Sequence, residues 1–238
     1  MTSKFSRTCC SEQTLASFEI FQSLPDEAVQ AYSKRCFWRR FAKNETLIEY
    51  NDTTRDVYFI SSGRARATYY AACGREISFR DLDPGEMFGE IAAIDALPRS
   101  VSVTALTDML VAVMPSAVFR ELLCQHDQSS TAMMLRLAML IRRLSERVVE
   151  LSTLGVQHRI HAELLRLARK SSPGQNTAVV FPVPTHADIA NRISTHREAV
   201  TRELGNLRRA GLLERRSGIL IIPDVEKLSR MVSEILRE

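Results

Sequence analysis

The sequence predicts an α+β protein built from unlike halves, on three observations. The first hundred-odd residues are short strand-forming runs broken by turns, and the middle is one long striped segment. The last third alternates short helices with a hairpin and holds the excess of positive charge. At 238 residues and 26.9 kDa, the chain has room for one large domain or two ordinary ones. No run approaches the roughly 18 apolar residues that span a bilayer, and Met1–Ser11 has no apolar secretory core, so a cytoplasmic protein without a membrane partner is expected.

The strands come first. Thr46–Tyr50, Asp56–Ser61, Arg64–Tyr70, Glu76–Asp81 and Val101–Leu106 are rich in β-branched and aromatic residues. Turn formers separate them at Asn51-Asp52, Ser62-Gly63, Cys73-Gly74 and Pro84-Gly85, a spacing that favours an antiparallel sandwich or barrel. Asn44 and Asn51 occupy turn positions where Asn tolerates the left-handed conformation.

From Asp127 the period changes to that of a helix. Leu137, Ile141, Leu144, Val148 and Leu151 recur at intervals of three or four, with Arg142, Arg143, Glu146 and Arg147 on other faces. Such a helix would run roughly 40 Å. It either packs on its own domain or forms a seam with a second copy, and its length and narrow stripe favour the seam. Gly155 ends the run as a hinge.

Beyond Gly155, Arg159–Lys170 reads as a helix and Ser171-Ser172-Pro173-Gly174 as a break. Two more helices fit Thr185–Arg192 and His196–Ala210, and Leu213–Pro223 folds back around Ser217-Gly218 as a hairpin placed like a wing. From Val156 to Glu238 there are 14 Lys/Arg against 9 Asp/Glu, whereas the remainder carries 18 against 19. A basic end on a near-neutral front is the pattern of a sensor joined to a polyanion binder.

Two constellations carry chemistry. In Asp83-Pro84-Gly85-Glu86-Met87-Phe88-Gly89-Glu90-Ile91-Ala92-Ala93-Ile94, a Gly before a helical turn lets backbone N–H groups approach an anion. Arg99 adds a phosphate-binding fork, Ser100 a donor and Glu90 an acceptor for a sugar hydroxyl. One Arg suits a phosphodiester better than a triphosphate, and no G-x-x-x-x-G-K-[ST] loop is present. In the second constellation, Thr185–Leu204, Arg197, Glu198 and Arg202 project from the start of a helix where a major-groove reader contacts base edges.

The run from Phe88-Gly89-Glu90 to Pro98-Arg99-Ser100 resembles the phosphate-binding cassette of cyclic-nucleotide-binding domains. With the helix pair and wing behind it, the chain resembles the cyclic AMP receptor protein (CRP/FNR) family of bacterial transcription regulators from about Thr14 onward. The resemblance implies a β-roll over 1–126, a dimerisation helix and hinge over 127–155, and a winged helix-turn-helix over 156–238. It implies cyclic AMP, or cyclic GMP, as an allosteric ligand held by Phe88, Gly89, Glu90, Ile91, Ala92, Arg99, Ser100, Leu144 and Ser145, with no metal. It further implies a homodimer that binds double-stranded DNA through Thr185, Ser194, His196, Arg197, Glu198, Thr201 and Arg202, at TGTGA-like inverted repeats, with RNA polymerase as a further partner. The docking geometry expected of such helices, and DNA bending, are general knowledge for which this family is itself a standard example.

The chain departs from that pattern in places. Ser194 stands where the helix turn usually has Gly, and Leu144 where the cyclic AMP receptor protein has a base-contacting Thr, with Ser145 beside it. Cys9 and Cys10 do not supply the cysteine comb of oxygen-sensing relatives, and the five cysteines read as ordinary reduced thiols. His158 and His161 stand three apart without a third ligand nearby, which reads as two solvated histidines on a helix. No nucleophile–base pairing stands out, so an enzyme is not expected.

Overall fold

The computed structural model describes residues 15–71, 76–171 and 176–233, and the chain divides into two compact units between Leu140 and Ile141. The turn at Cys73-Gly74, the break at Ser172-Pro173-Gly174, and Cys9 and Cys10 lie outside the described residues.

In the first unit, two 3-10 turns (Leu15–Ser17 and Glu19–Phe21) and α1 (Asp26–Ser33) precede the strands. These are β1 (Phe37–Phe41), β2 (Thr46–Ile48), β3 (Val57–Ser62), β4 (Ala65–Tyr70), β5 (Glu76–Leu82) and β6 (Met87–Phe88). After α2 (Glu90–Asp95) come β7 (Ser102–Ala105) and β8 (Met109–Met114), then α3 (Ser116–Gln125) and α4 (Asp127–Thr153), which continues across the division. The runs read as strands in the sequence are β2, β3, β4, β5 and β7, each within two residues of its expected limits.

The strands form two antiparallel sheets, ordered β1-β8-β3-β6 and β2-β7-β4-β5. Successive side chains of a strand point to opposite faces. In β3 and β8 both faces are buried, which is why they read as unbroken apolar runs. Tyr58, Ile60, Val111 and Val113 share one core with Ala65, Ala67, Leu82 and Val103 of the other sheet. Phe59, Ala112 and Met114 share a second core with Phe18, Phe21, Phe119 and Met133. Asn44 and Asn51 have φ of 67° and 66°, as their turn positions require.

The second unit holds the remainder of α4, α5 (Val156–Ser171), β9 (Ala178–Val180), α6 (His186–Arg192), α7 (Arg197–Arg209), β10 (Glu214–Arg216), β11 (Ile219–Ile222) and α8 (Val225–Ser233). The wing is an antiparallel sheet ordered β10-β11-β9, so the hairpin gains a third strand from before the helix pair. Its turn residues Ser217 and Gly218 both have positive φ, 45° and 81°, the type I′ geometry that matches strand twist.

The α4 stripe divides. Met133 and Leu137 pack on the first unit's core, whereas Ile141, Leu144, Val148 and Val149 are 45–63% exposed in the chain. The pair read as solvated histidines is corrected here. His161 is 0% exposed, because it sits on the inner face of α5 and its Nε2 donates to Glu203 Oε1 of α7 at 2.7 Å. Among the described residues no helix is long and apolar enough to cross a membrane, and no cluster of His, Cys, Asp or Glu could hold a metal ion. Burial pushes the Cys36 thiol up to about 12, which makes it an inert thiol.

Phe59 anchors the second core of the first unit, edge-on to Phe18 at 5.2 Å and tilted against Phe21 at 5.5 Å. Phe59→Ala is expected to cost about 3–5 kcal/mol of stability. Trp38, the chain's single Trp, packs beside the same core, and its fluorescence in a urea titration measures the loss.

Candidate functional site

The first candidate site forms where β6 gives way to α2. Gly89 caps the helix with φ 87°, and a Cβ there would stand 2.7 Å from Arg99 Nη1 and 2.8 Å from the Asp56 carbonyl oxygen. Only glycine meets both demands. Arg99 is 3% exposed. Its Nη1 donates to the Gly89 carbonyl at 2.9 Å, Nη2 to the Asp56 carbonyl at 2.8 Å and Nε to Thr54 Oγ1 at 3.3 Å. Its backbone is bracketed too, since Arg99 N–H donates to Asp52 O at 2.8 Å and Asn51 N–H to Arg99 O at 2.9 Å. Burial lowers the Arg99 pKa, against the nearby Tyr58, Asp56, Asp52 and Glu90 charges. The Tyr58 ring lies 5.9 Å from the Arg99 guanidinium carbon and stacks on Phe88 at 4.9 Å.

The other cassette residues divide by exposure. Phe88, Glu90 and Ala92 are buried, Gly89 is half-buried, and Ile91 and Ser100 are exposed. Glu90 Oε1 lies 3.6 Å from Arg136 Nε, and Arg136 Nη2 donates to the Met87 carbonyl at 2.5 Å. Arg136, on the first-unit part of α4, thus ties that helix to both ends of the β6–α2 junction. Sequence reading missed it, because one more Arg on a charged helix carries no mark; its position beside the apolar Leu137 is the only hint. Leu144 and Ser145 lie past the division, in the second unit, and both are exposed.

The second candidate site is the α6–α7 pair. Thr185 caps α6 through a reciprocal box with Asp188, so its hydroxyl and its backbone N–H are both committed. Ser194 carries the turn with φ 54°, and Thr195 N–H donates to Ala190 O at 3.0 Å. On α7, Val200, Glu203, Leu204 and Leu207 are buried, while Arg197, Glu198, Thr201 and Arg202 are exposed on the opposite face, with His196 exposed at the cap. Thr201 Oγ1 lies 2.7 Å from His186 Nδ1 and donates to Arg197 O at 2.9 Å. Burial depresses the His186 pKa, as do Arg215 and Arg197 nearby. The structure therefore brings Arg197, Glu198, Thr201 and Arg202 onto one face, and leaves Thr185 and Ser194 as structural positions beside it.

Sequence reading also missed what holds this pair in place. Arg159 Nη1 of α5 donates to Ile193 O at 3.0 Å, directly before the strained Ser194. Glu203 receives His161 on one oxygen and Asn206 Nδ2 at 2.9 Å on the other. Glu163 of α5 takes Arg192 of α6 at 3.0 Å and also pairs with Arg166.

Two family models match the chain: a cyclic nucleotide-binding domain over residues 38–126 and a Crp-like helix-turn-helix domain over residues 158–231. Among curated proteins, the chain is 26% identical over 220 residues to a CRP-like cAMP-activated global transcriptional regulator of Mycobacterium tuberculosis, covering 92% of this chain and 98% of that one. It is also 26% identical to a cyclic AMP receptor protein of Thermus thermophilus, covering 89% of this chain and 95% of that one. Among solved structures, a CooA mutant from Carboxydothermus hydrogenoformans aligns with a TM-score of 0.74 at 20% identity, over 85% of this chain and 90% of that one; this likeness bears on the fold alone. The first matched segment contains the Gly89–Arg99 cassette and the second contains α6, α7 and the wing, while Leu144 and Ser145 fall between them.

Ser194 holds a left-handed conformation that costs a non-glycine residue about 1–2 kcal/mol, and glycine returns part of this as chain entropy. Ser194→Gly is expected to stabilise the second unit by about 0.5–1 kcal/mol. Hydrogen exchange of the α6 and α7 amides measures it, and faster exchange would contradict the strain argument.

Proposed function

The chain belongs to the CRP/FNR family of cyclic-nucleotide-binding transcription regulators, and on that premise we propose that it is a cytoplasmic, homodimeric regulator. In this reading it responds to cyclic AMP, binds a TGTGA-like inverted repeat and acts on RNA polymerase. The observation that carries the ligand half is Arg99, a buried guanidinium whose described bonds all go to neutral oxygens. Asp52, Asp56 and Glu90 lie close enough to act on it, but none of them bonds to it, and a singly charged cyclic phosphodiester is an anion of matching charge that can pair with it directly. In this reading Gly89 and Ala92 let the nucleotide approach the chain, Phe88 and Ile91 flank it, and Ser100 donates to its phosphate. Glu90 accepts from the ribose, and Ser145 meets the base end beside Leu144.

The DNA half rests on the exposed row Arg197, Glu198 and Arg202 at the start of α7. Arg pairs with guanine O6 and N7, and Glu accepts from a cytosine amino group. Thr201 and His196 extend the surface that meets the duplex, and Thr185 and Ser194 flank it and hold the turn. The exposed apolar residues of α4 support the homodimer, with the seam formed by two copies of that stripe. Ligand activates only by binding the DNA-competent arrangement better than the idle one. One observation favours a second reading, in which the roll answers to cyclic GMP, to another effector or to none. Leu144 offers no hydrogen bond to a base, so selection of adenine has no donor or acceptor at that position.

Fluorescence anisotropy of a labelled inverted-repeat duplex, at one fixed salt concentration, separates the readings when run without nucleotide, with cyclic AMP and with cyclic GMP. Tight binding only with cyclic AMP is expected; equal binding in all three states sinks the ligand assignment and leaves the DNA assignment standing. Arg99→Ala is expected to abolish nucleotide binding in equilibrium dialysis and to loosen the Gly89–α2 turn, and Arg99→Lys, which keeps the charge without the fork, to weaken binding strongly with the far-UV circular dichroism unchanged. Arg197→Ala and Arg202→Ala are each expected to cost about 1–3 kcal/mol on the specific duplex and to relax selection at one guanine. An equal loss on random duplex would demote them to phosphate contacts.

A further inference from the structure

The apolar core of the second unit encloses a polar pair. On α7, Glu203 falls within the arc of about 100° that it shares with Val200, Leu204 and Leu207, all four buried. On α5, His161 falls among Leu164, Leu165 and Ala168, which line the same core. His161 is 0% exposed and Glu203 7%, and they meet at 2.7 Å from Nε2 to Oε1. Glu203 Oε2 accepts from Asn206 Nδ2 at 2.9 Å, so both carboxylate oxygens are engaged. His161 Nδ1 is buried without a hydrogen-bond partner among the described residues.

Such a pair is desolvated on both sides, and apolar residues of similar volume in its place are commonly neutral or stabilising. What it adds is direction. Its surroundings, among them Ile160, Leu164, Val200 and Leu204, are aliphatic, and a core of roughly the right volume loses its unique packing before its stability. A hydrogen bond tolerates only a narrow range of distance and angle. His161 and Glu203 therefore meet at one rotation of α7 against α5, and any other leaves two buried polar groups without each other. That rotation governs the opposite side of the same helix, where Arg197, Glu198, Thr201 and Arg202 are exposed. At roughly 5–6 Å from the helix axis, a turn of about 20° carries a side-chain end about 2 Å. A displacement of that size breaks a bidentate contact to a base edge.

We infer that His161 and Glu203 are positioning residues for sequence discrimination: the pair fixes the rotation of α7 about its own axis, and with it the base edges that the exposed row can meet. The inference rests on the DNA-binding reading above and deepens it. Both side chains are buried, so they act through α7 and not by touching the duplex. Two neighbouring contacts fit this role. Asn206, which engages Glu203, accepts Arg209 Nη2 on its Oδ1 at 2.7 Å, which carries the constraint further along α7. Arg159 of α5 holds Ile193 O at 3.0 Å and so fixes the turn before α7, leaving the rotation of the helix for the pair to set. Affinity for DNA of any sequence follows from charge, which a small rotation leaves in place.

The test uses the full-length protein, a duplex that the wild type selects from a randomised pool with or without cyclic AMP, and a random duplex of equal length. Both are titrated by anisotropy at one salt concentration. His161→Leu and Glu203→Leu are each expected to lower the urea midpoint read by far-UV circular dichroism, and the double variant to restore it. The double variant is expected to bind the random duplex as the wild type does and the selected duplex about tenfold more weakly, the order of one bidentate base contact. Glu203→Gln, which keeps an acceptor for His161, is expected to hold both affinities near those of the wild type. A pair that served the fold alone would move both duplexes together or neither. Unchanged discrimination in the double variant, or an equal loss on the two duplexes, would overturn the inference and leave the DNA reading standing. A wild type that selects no duplex from the pool would overturn the DNA reading, and the inference with it.

Discussion

The guanidinium of Arg99 is the constraint on which the front of the molecule depends. It is buried, yet an arginine stays charged under any ordinary condition, so the structure must surround it with acceptors. It does so with backbone carbonyls from two separate segments, Gly89 and Asp56, and with the Thr54 hydroxyl. That choice dictates the rest. The Gly89 carbonyl can reach Arg99 only from a left-handed residue without a Cβ, and the left-handed residue sets the start of α2. The first residue of α2 is then Glu90, turned inward to meet Arg136 of α4. A single buried cation thereby fixes a turn, a helix start and a contact to the long helix.

The second unit is organised differently, around a helix rather than a charge. α5 sends Arg159 to the α6–α7 turn, His161 to α7 and Glu163 to α6, from three of its first eight residues. The apolar core formed by Ile160, Leu164, Ile189, Ile193, Val200 and Leu204 supplies most of the stability. It does not set rotation about the helix axes closely, because aliphatic contacts are nondirectional. The polar bonds do. His161 to Glu203 is buried, and losing one partner of a buried pair leaves the other unsatisfied. Those three contacts therefore hold the angle at which Arg197, Glu198 and Arg202 are presented.

Much of this was legible in the sequence where a local rule suffices. Strand runs, the α4 period, Asn44 and Asn51 in left-handed turns, and the type I′ turn at Ser217-Gly218 each follow from residues within a few positions of one another. The cassette was legible because its parts are contiguous, from Phe88 to Ser100. What stayed hidden depends on residues far apart in the chain. Arg136 lies 46 positions from Glu90, as follows from their numbers, and His161 lies 42 from Glu203. β9 joins the wing from before the helix pair, a pairing no local pattern announces. His161 was misread as solvated because its partner is a glutamate on another helix, and a lone polar residue on an apolar face gives no sign of which partner it will find.

The same reasoning ranks the joints around the break between α4 and α5. On one side, Glu150 of α4 accepts Arg166 Nη2 on both oxygens at 2.7 Å; on the other, Glu163 of α5 accepts Arg192 of α6 at 3.0 Å and pairs with Arg166. The distances would rank the Glu150 contact first, but burial reverses the order. The Arg166 side chain is 45% exposed, so water and salt compete for it and the pair contributes roughly 0–1 kcal/mol. The Glu163 side chain is 4% exposed and Arg192 14%, so water and salt compete far less for that pair than for Glu150–Arg166. The hold of α5 on α6 is therefore much stiffer than the hold of α4 on α5. Leu154 and Gly155, which belong to neither helix, sit between the two. Leu154 is itself buried in the core that α5, α6 and α7 share, so the start of α5 is fixed to that core as well as through its polar contacts.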